Sequence, residues 1–256
     1  MTDFLLSEFN AFEHLTPSRP IENLGKSDLT FNNRLLHPLK IFEDGGESGC
    51  GGKVWIAGEL LSKYVLDKGM RNRKKCIEIG SGTGLVGLAL GLSDKRDDDL
   101  KVYITDIDDL VPLMTKNIQL NGLEGTVIAE TLSWGEELPA YASSGVDLVL
   151  AADCVYLEKA FPLLEKTLLD LTQAEEDEDD EEKEKEEGVL VLMAYRKRRK
   201  ADTKFFQKIK KNFTIVPITD FDEYQEYLKQ SVNLLQLVRK PRKPKATQKK
   251  IDLKII

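Results

Sequence analysis

The residues best placed to do chemistry begin with Gly80-Ser81-Gly82-Thr83-Gly84, which follows the apolar run Lys75–Ile79 and precedes the helical stretch Leu85–Leu92. Strand, glycine turn and helix in that order make a nucleotide cradle, because glycine permits the tight turn and lets a ligand lie against bare backbone. A dinucleotide fingerprint G-x-G-x-x-G needs glycine at position 85, where Leu85 stands. The spacing is instead G-x-G-x-G, with Glu78 two residues before the first glycine. A nucleoside carrying an amino acid is therefore a better guest than a pyrophosphate. Asp106 ends the next predicted strand, 24 residues after Gly82, where an acid can accept hydrogen bonds from ribose hydroxyls. Asp153 and Tyr156 follow the fourth predicted strand and should reach the same rim. A carboxylate and a phenol can hold an amine or ammonium, and the aromatic face favours a cation. The structural alternatives are a helix N-cap for Asp153, a packed ring for Tyr156 and core packing for the two tryptophans, Trp55 and Trp134.

The elements that must position these groups can be read from periodicity. A helix starting near Trp55 carries Ile56, Leu60, Leu61, Tyr64 and Val65 at helical spacing. Strands are expected at 75–79, 102–105, 126–134, 146–151 and 188–194, with two more near 213–219 and 232–239. Between them lie helices with Leu110, Leu113, Met114 and Ile118, then Phe161, Leu164, Leu168 and Leu171, then Phe205, Phe206 and Ile209 on their apolar faces. Alternating strands and helices predict an α/β fold, a mostly parallel sheet covered on both faces. The closeness of the last two strands allows one antiparallel member. The boundaries expected are a 1–53 extension ending in a glycine-rich loop, a 54–240 domain and a 241–256 basic tail.

Composition narrows the class. At 41% hydrophobic residues, a chain of 256 can bury a core. No apolar stretch approaches the roughly 18 residues of a membrane span, and the start of the chain lacks the pattern of a secretory signal. Cys50, Cys76 and Cys154 are scattered, and neither His14 nor His37 is near them, so no metal site is expected and a reducing, cytoplasmic setting is. The formal charge of -7 misleads, since residues 175–187 hold eleven acids and two lysines. Without that run the chain is close to neutral, which implies no strong attraction to nucleic acid. Both the acidic run and the basic tail read as solvated extensions, with a docking surface and a nuclear signal as the sharper alternatives.

The combination resembles the class I, seven-β-strand methyltransferases. It resembles more closely methyltransferase family 16, through Val54-Trp55, Glu78–Gly87, Thr105-Asp106, Ser133-Trp134-Gly135 and Ala151–Tyr156 in that order. Members of that family are mainly protein-lysine methyltransferases with an Asp-x-x-Tyr motif, here Asp153-Cys154-Val155-Tyr156. The resemblance implies S-adenosylmethionine as cofactor, contacted by Trp55, Gly80, Ser81, Gly82, Asp106, Trp134 and Ala152. It implies Asp153 and Tyr156 at the target amine, and a monomer. Glu43–Glu59, Asp153–Thr172 and Ala194–Asp202 look especially like the fungal branch that methylates translation elongation factor 1A. The acidic run and basic tail are foreign to the pattern.

Other functions stay open at this level. The Asn-Pro-Pro-aromatic motif of many base and glutamine methyltransferases is absent, yet a nucleic-acid or small-molecule substrate fits the same fold. A non-catalytic client-binding protein of this fold is a third reading. A nicotinamide oxidoreductase is the weakest, because Leu85 breaks the fingerprint and no catalytic Tyr-Lys pair is apparent.

Overall fold

Alternate residues of the central strands point into two different apolar clusters. In β1 (Lys75–Ile79), Cys76 joins one cluster while Ile77 and Ile79 join the other. In β4 (Leu148–Ala152), Leu148 and Leu150 face the first, Val149 and Ala151 the second. Strands apolar on both faces need helices on both sides. The first cluster is completed by α1 (Ile56–Lys68), α2 (Leu85–Leu92) and α3 (Val111–Asn121). The second is completed by α4 (Phe161–Leu171) and α5 (Lys200–Ile209). Phe205 is 1% exposed between Phe161 and Phe206, and its truncation to alanine should cost about 3–5 kcal/mol.

A computed structural model describes residues 29–44, 49–173 and 188–241 of the chain. The acidic run, and the basic tail beyond 241, lie outside the described residues. The sheet contains, besides β1 and β4, β2 (Lys101–Asp106), β3 (Val127–Thr131), β5 (Leu190–Arg196), β6 (Phe213–Pro217) and β7 (Val232–Arg239). The spatial order is β3-β2-β1-β4-β5-β7-β6. All neighbours are parallel except β7, which runs antiparallel to both β5 and β6. The chain winds outward from β1 to β3, then returns to place β4 on β1's other side. That reversal is a topological switch point, and ligands of open α/β sheets bind beyond the carboxyl ends of the strands there.

Local chemistry sets the helix starts. Pro112 and Pro162 fall in the first turns of α3 and α4, where a missing N–H leaves no helical bond unmade. Asp202 in α5 accepts from the Arg198 and Arg199 N–H groups at 2.8 and 3.0 Å, capping that helix. A short helix, α6 (Tyr224–Lys229), was not expected. It buries only Tyr227, too little for a periodic signal. The third strand ends at Thr131 rather than near 134. Beyond Leu132, whose N–H still bonds the Asp106 carbonyl, the chain turns off the sheet, and Gly135 N donates to Thr167 Oγ1 of α4 at 2.9 Å.

Residues 29–44 are not a loose leader. Leu29, Phe31, Leu35 and Leu39 are buried in the cluster that contains α1. The following stretch lies along α3, where Asn121 accepts from Lys40 N and donates to its carbonyl. One turn earlier, Asn117 does the same for Phe42 and also donates to the Thr83 carbonyl at 3.0 Å. Two asparagines at i, i+4 thus tie a strap to the glycine turn.

Candidate active site

Where β1 ends, the backbone enters the left-handed region three times, at Gly80 (φ 58°), Gly82 (φ 55°) and Gly84 (φ 80°). Ser81 fastens the turn to β2: its Oγ donates to the Glu78 carbonyl and accepts from Thr105 N at 2.9 Å. Its side chain is thereby spent on backbone, and what Ser81 offers a ligand is the main chain. A Cβ on Gly80 would stand 2.6 Å from Trp134 Cζ2, and one on Gly82 would stand 2.6 Å from the Gly51 carbonyl oxygen. Trp134 and the short turn Gly49–Gly52 thus press close on the glycine backbone. That turn is held in place by Asp44 N donating to the Gly52 carbonyl, with Val54 N donating to Glu43 Oε1 at 2.7 Å.

Two acids lie beneath and beside this cradle. Glu78 is buried, and its Oε2 accepts from Gly87 N at 2.8 Å in the first turn of α2. Burial pushes its carboxyl up to about 8, although the Gly87 and Val86 N–H groups pull the other way. Asp106, at the end of β2, accepts from Gly82 N through Oδ2 and from Ile107 N through Oδ1, both at 2.8 Å. Burial raises it to about 6. Each of its oxygens keeps a second lone pair for a hydroxyl donor.

Asp153 and Tyr156 follow β4 at the same end of the sheet. Asp153 is not an N-cap, since the next helical turn begins at Glu158. Its backbone is left-handed (φ 59°), with its N–H bonded to the Ala194 carbonyl. Its carboxylate takes a forked pair of bonds from Arg198, Nη1 to Oδ1 at 2.8 Å and Nη2 to Oδ2 at 2.6 Å. Arg196 N adds a third, at 3.2 Å. The Tyr156 hydroxyl bonds to the Cys50 thiol, and its carbonyl accepts from Arg199. Burial, with the neighbouring Cys50 and Asp106, pushes the phenol well above its ordinary range. It is therefore a neutral phenol at physiological pH. Trp55 precedes α1, donates Nε1–H to the Cys50 carbonyl at 2.9 Å, and has the Arg198 guanidinium 5.6 Å from its ring. Ala152 is half-buried at the end of β4. Cys154, behind it, directs Sγ at the Ile79 carbonyl at 3.3 Å.

Every predicted site residue thus lies at one end of the sheet, around the β1–β4 switch. Sequence reasoning missed Arg198, Asn117 and the role of the Gly49–Gly52 turn. Arg198 sits in the run Arg196–Lys200, where nothing in spacing sets one basic residue apart. Asn117 and Asn121 had a faint signal as an i, i+4 pair of asparagines on one helix, Asn117 lying beside the apolar Leu113, Met114 and Ile118.

This sheet order, with a glycine turn after β1 and an acid ending β2, defines a class I S-adenosylmethionine-dependent methyltransferase. The cradle of bare glycine backbone and the Asp106 carboxylate fit that cofactor's amino acid and ribose. The apo form of the methyltransferase SibL superposes with a TM-score of 0.50 at 11% identity, covering 93% of this chain and 74% of that one. The lysine methyltransferase family profile matches residues 34–212. The protein-lysine N-methyltransferase EFM6 of Saccharomyces cerevisiae is 52% identical over 255 residues, covering 91% of this chain and 99% of that one. The protein N-lysine methyltransferase METTL21A of Danio rerio is 30% identical over 207 residues, covering 79% and 85%. This chain belongs to the lysine methyltransferase family, as an S-adenosylmethionine-dependent protein-lysine N-methyltransferase.

Proposed function

We propose that this enzyme methylates a lysine of translation elongation factor 1A, as a cytoplasmic monomer, with Asp153 and Tyr156 at the amine. The target rests on the likeness of Glu43–Glu59, Asp153–Thr172 and Ala194–Asp202 to the fungal branch with that substrate. The residue roles rest on one observation: Asp153 and Tyr156 share the rim occupied by the glycine turn and Asp106.

S-adenosylmethionine, when bound, supplies an electrophilic methyl group to the lysine nitrogen. Trp55, Gly80, Ser81, Gly82, Asp106, Trp134 and Ala152 hold it. Gly80 to Gly82 would present backbone, Asp106 would accept from ribose hydroxyls, and Trp134, which presses on Gly80, would wall the adenine. The chain's work is to present a lysine nitrogen that has lost its proton. At pH 7 that loss costs about 4.6 kcal/mol from a reference pKa near 10.4. Tyr156 remains a neutral phenol whose oxygen can accept from the amine. Asp153 orients the nitrogen, and orientation is a large part of the gain in transfer reactions. The proton leaves to water.

The test uses radiolabelled S-adenosylmethionine and cytosolic extract from cells lacking the enzyme. Wild type should label one protein, on lysine, at the mass of elongation factor 1A. Asp153→Ala should abolish the label and leave cofactor affinity nearly intact. A labelled band of another mass would overturn the target, and equal turnover in the variant would overturn the role of Asp153.

A further inference from the structure

We propose that Arg198 is a positioning residue of methyl transfer: it fixes the Asp153 carboxylate with its guanidinium fork and cancels the negative charge there, so that a lysine entering the site is not held as an ammonium ion. The inference rests on the reading of Asp153 as the group that meets the amine.

A carboxylate alone beside the substrate would work against the reaction. It orients the nitrogen but favours the charged form and raises the lysine's pKa. The structure does not leave Asp153 alone. The two guanidinium bonds, at 2.8 and 2.6 Å, are parallel and bidentate, the geometry that only arginine can supply. The Asp153 side chain is 6% exposed and that of Arg198 14%, so solvent screens this pair far less than a surface pair. Charge cancellation at the pair is therefore felt by a neighbouring amine.

Arg198 is itself held on three sides. Its backbone N–H is capped by the fully buried Asp202. Its Nη1 also reaches the Arg196 carbonyl at 3.4 Å. Its guanidinium lies over the Trp55 ring, beside the predicted cofactor wall. The charged and titratable groups around the pair are few. Asp202 and Arg199 come from the start of α5, with the Arg199 guanidinium 3.7 Å from Asp202. Cys50 comes from the Gly49–Gly52 turn, and Tyr156 and Cys154 from the segment after β4. Asp106 acts on Tyr156 from the end of β2. Of these, Tyr156 stays protonated, and Arg198 is the cation bonded directly to Asp153.

The measurement is kcat against pH at saturating acceptor and cofactor, because kcat reports ionisations within the bound complex. The acceptor is the protein that wild type labels in extract, purified from cells lacking the enzyme. Arg198→Met should move the alkaline-rising limb upward by about one pH unit, roughly a tenfold loss at pH 7.5 that recovers as pH rises. Arg198→Lys keeps the charge but not the fork, so its limb should stay near that of wild type while turnover falls at every pH. Adding Asp153→Asn to Arg198→Met should return the limb towards wild type. Circular dichroism and S-adenosylmethionine affinity by calorimetry check that each variant folds and loads. If Arg198→Met lowers kcat by one factor at all pH values, or if the limb of Arg198→Lys moves as far as expected for Arg198→Met, the electrostatic role is overturned. If Arg198→Lys turns over as wild type at every pH, the positioning role of the fork is overturned, and these Arg198→Lys readings stand even where Arg198→Met fails to fold. If Asp153→Ala turns over normally, or wild type labels no protein, the reading of the site falls, and this proposal with it.

Discussion

Replacing Glu78 with glutamine keeps a carbonyl acceptor for the Gly87 N–H but removes the ionisable proton. In the folded protein burial holds that carboxyl at about 8, against an ordinary value of 4.5. The folded state therefore retains a proton over a pH range in which the unfolded chain has lost it. Stability rises with pH only where the unfolded state binds more protons, so here it must fall. The contribution is complete below the unfolded value, declines through the window between the two, and is gone above about 8. Integrating between pH 5 and 9 gives a loss of about 4 kcal/mol in wild type relative to the variant. Urea unfolding of both proteins at pH 5, 7 and 9 reads this directly, because the difference cancels groups that titrate alike in each. Parallel stability curves would refute the reasoning. They would mean that the N–H groups at the start of α2 compensate the carboxylate fully, and that the charge beneath the glycine turn is stable at neutral pH.

Two further perturbations probe the cradle. Gly82→Ala forces a Cβ to within 2.6 Å of the Gly51 carbonyl at a φ of 55°, a backbone costing about 1–2 kcal/mol for other residues. It should weaken S-adenosylmethionine binding at least tenfold by calorimetry while the far-ultraviolet circular dichroism is unchanged. Asn117→Ala strips partners from Phe42 N, the Phe42 carbonyl and the Thr83 carbonyl. A stability loss of about 2 kcal/mol is expected by chemical denaturation, since each buried polar group left unpaired costs about 1–3 kcal/mol and water can reach part of this cluster. A loss below about 0.5 kcal/mol would show that the strap is not anchored there.

Much of this architecture was legible along the chain because it rests on short-range physics. Apolar runs and amphipathic spacing marked the strands and the longer helices. Gly80-Ser81-Gly82-Thr83-Gly84 announced a turn that only glycine accommodates, and Asp106 stood at a strand end. What stayed hidden depended on residues far apart in sequence. Asn117 meets Phe42 across 75 positions and Arg198 meets Asp153 across 45, and neither pairing leaves a periodic trace. The early end of β3 was hidden for a related reason. Leu132 and Trp134 continue the apolar pattern of a strand, but their burial comes from packing against α4 and the glycine turn.

From its sequence by itself this protein is determined to be an α/β domain with a glycine turn after its first strand, an acid ending its second and an Asp-x-x-Tyr segment resembling lysine methyltransferases. Local backbone preference and the alternation of buried side chains suffice for that. Tertiary structure alone decided the state of the site: that Asp153 is bound in a buried fork with Arg198, that Tyr156 is a neutral phenol against Cys50, and that the Gly49–Gly52 turn closes on Gly82. Charge state and contact depend on which distant groups share a desolvated volume, and only the folded chain brings those groups together.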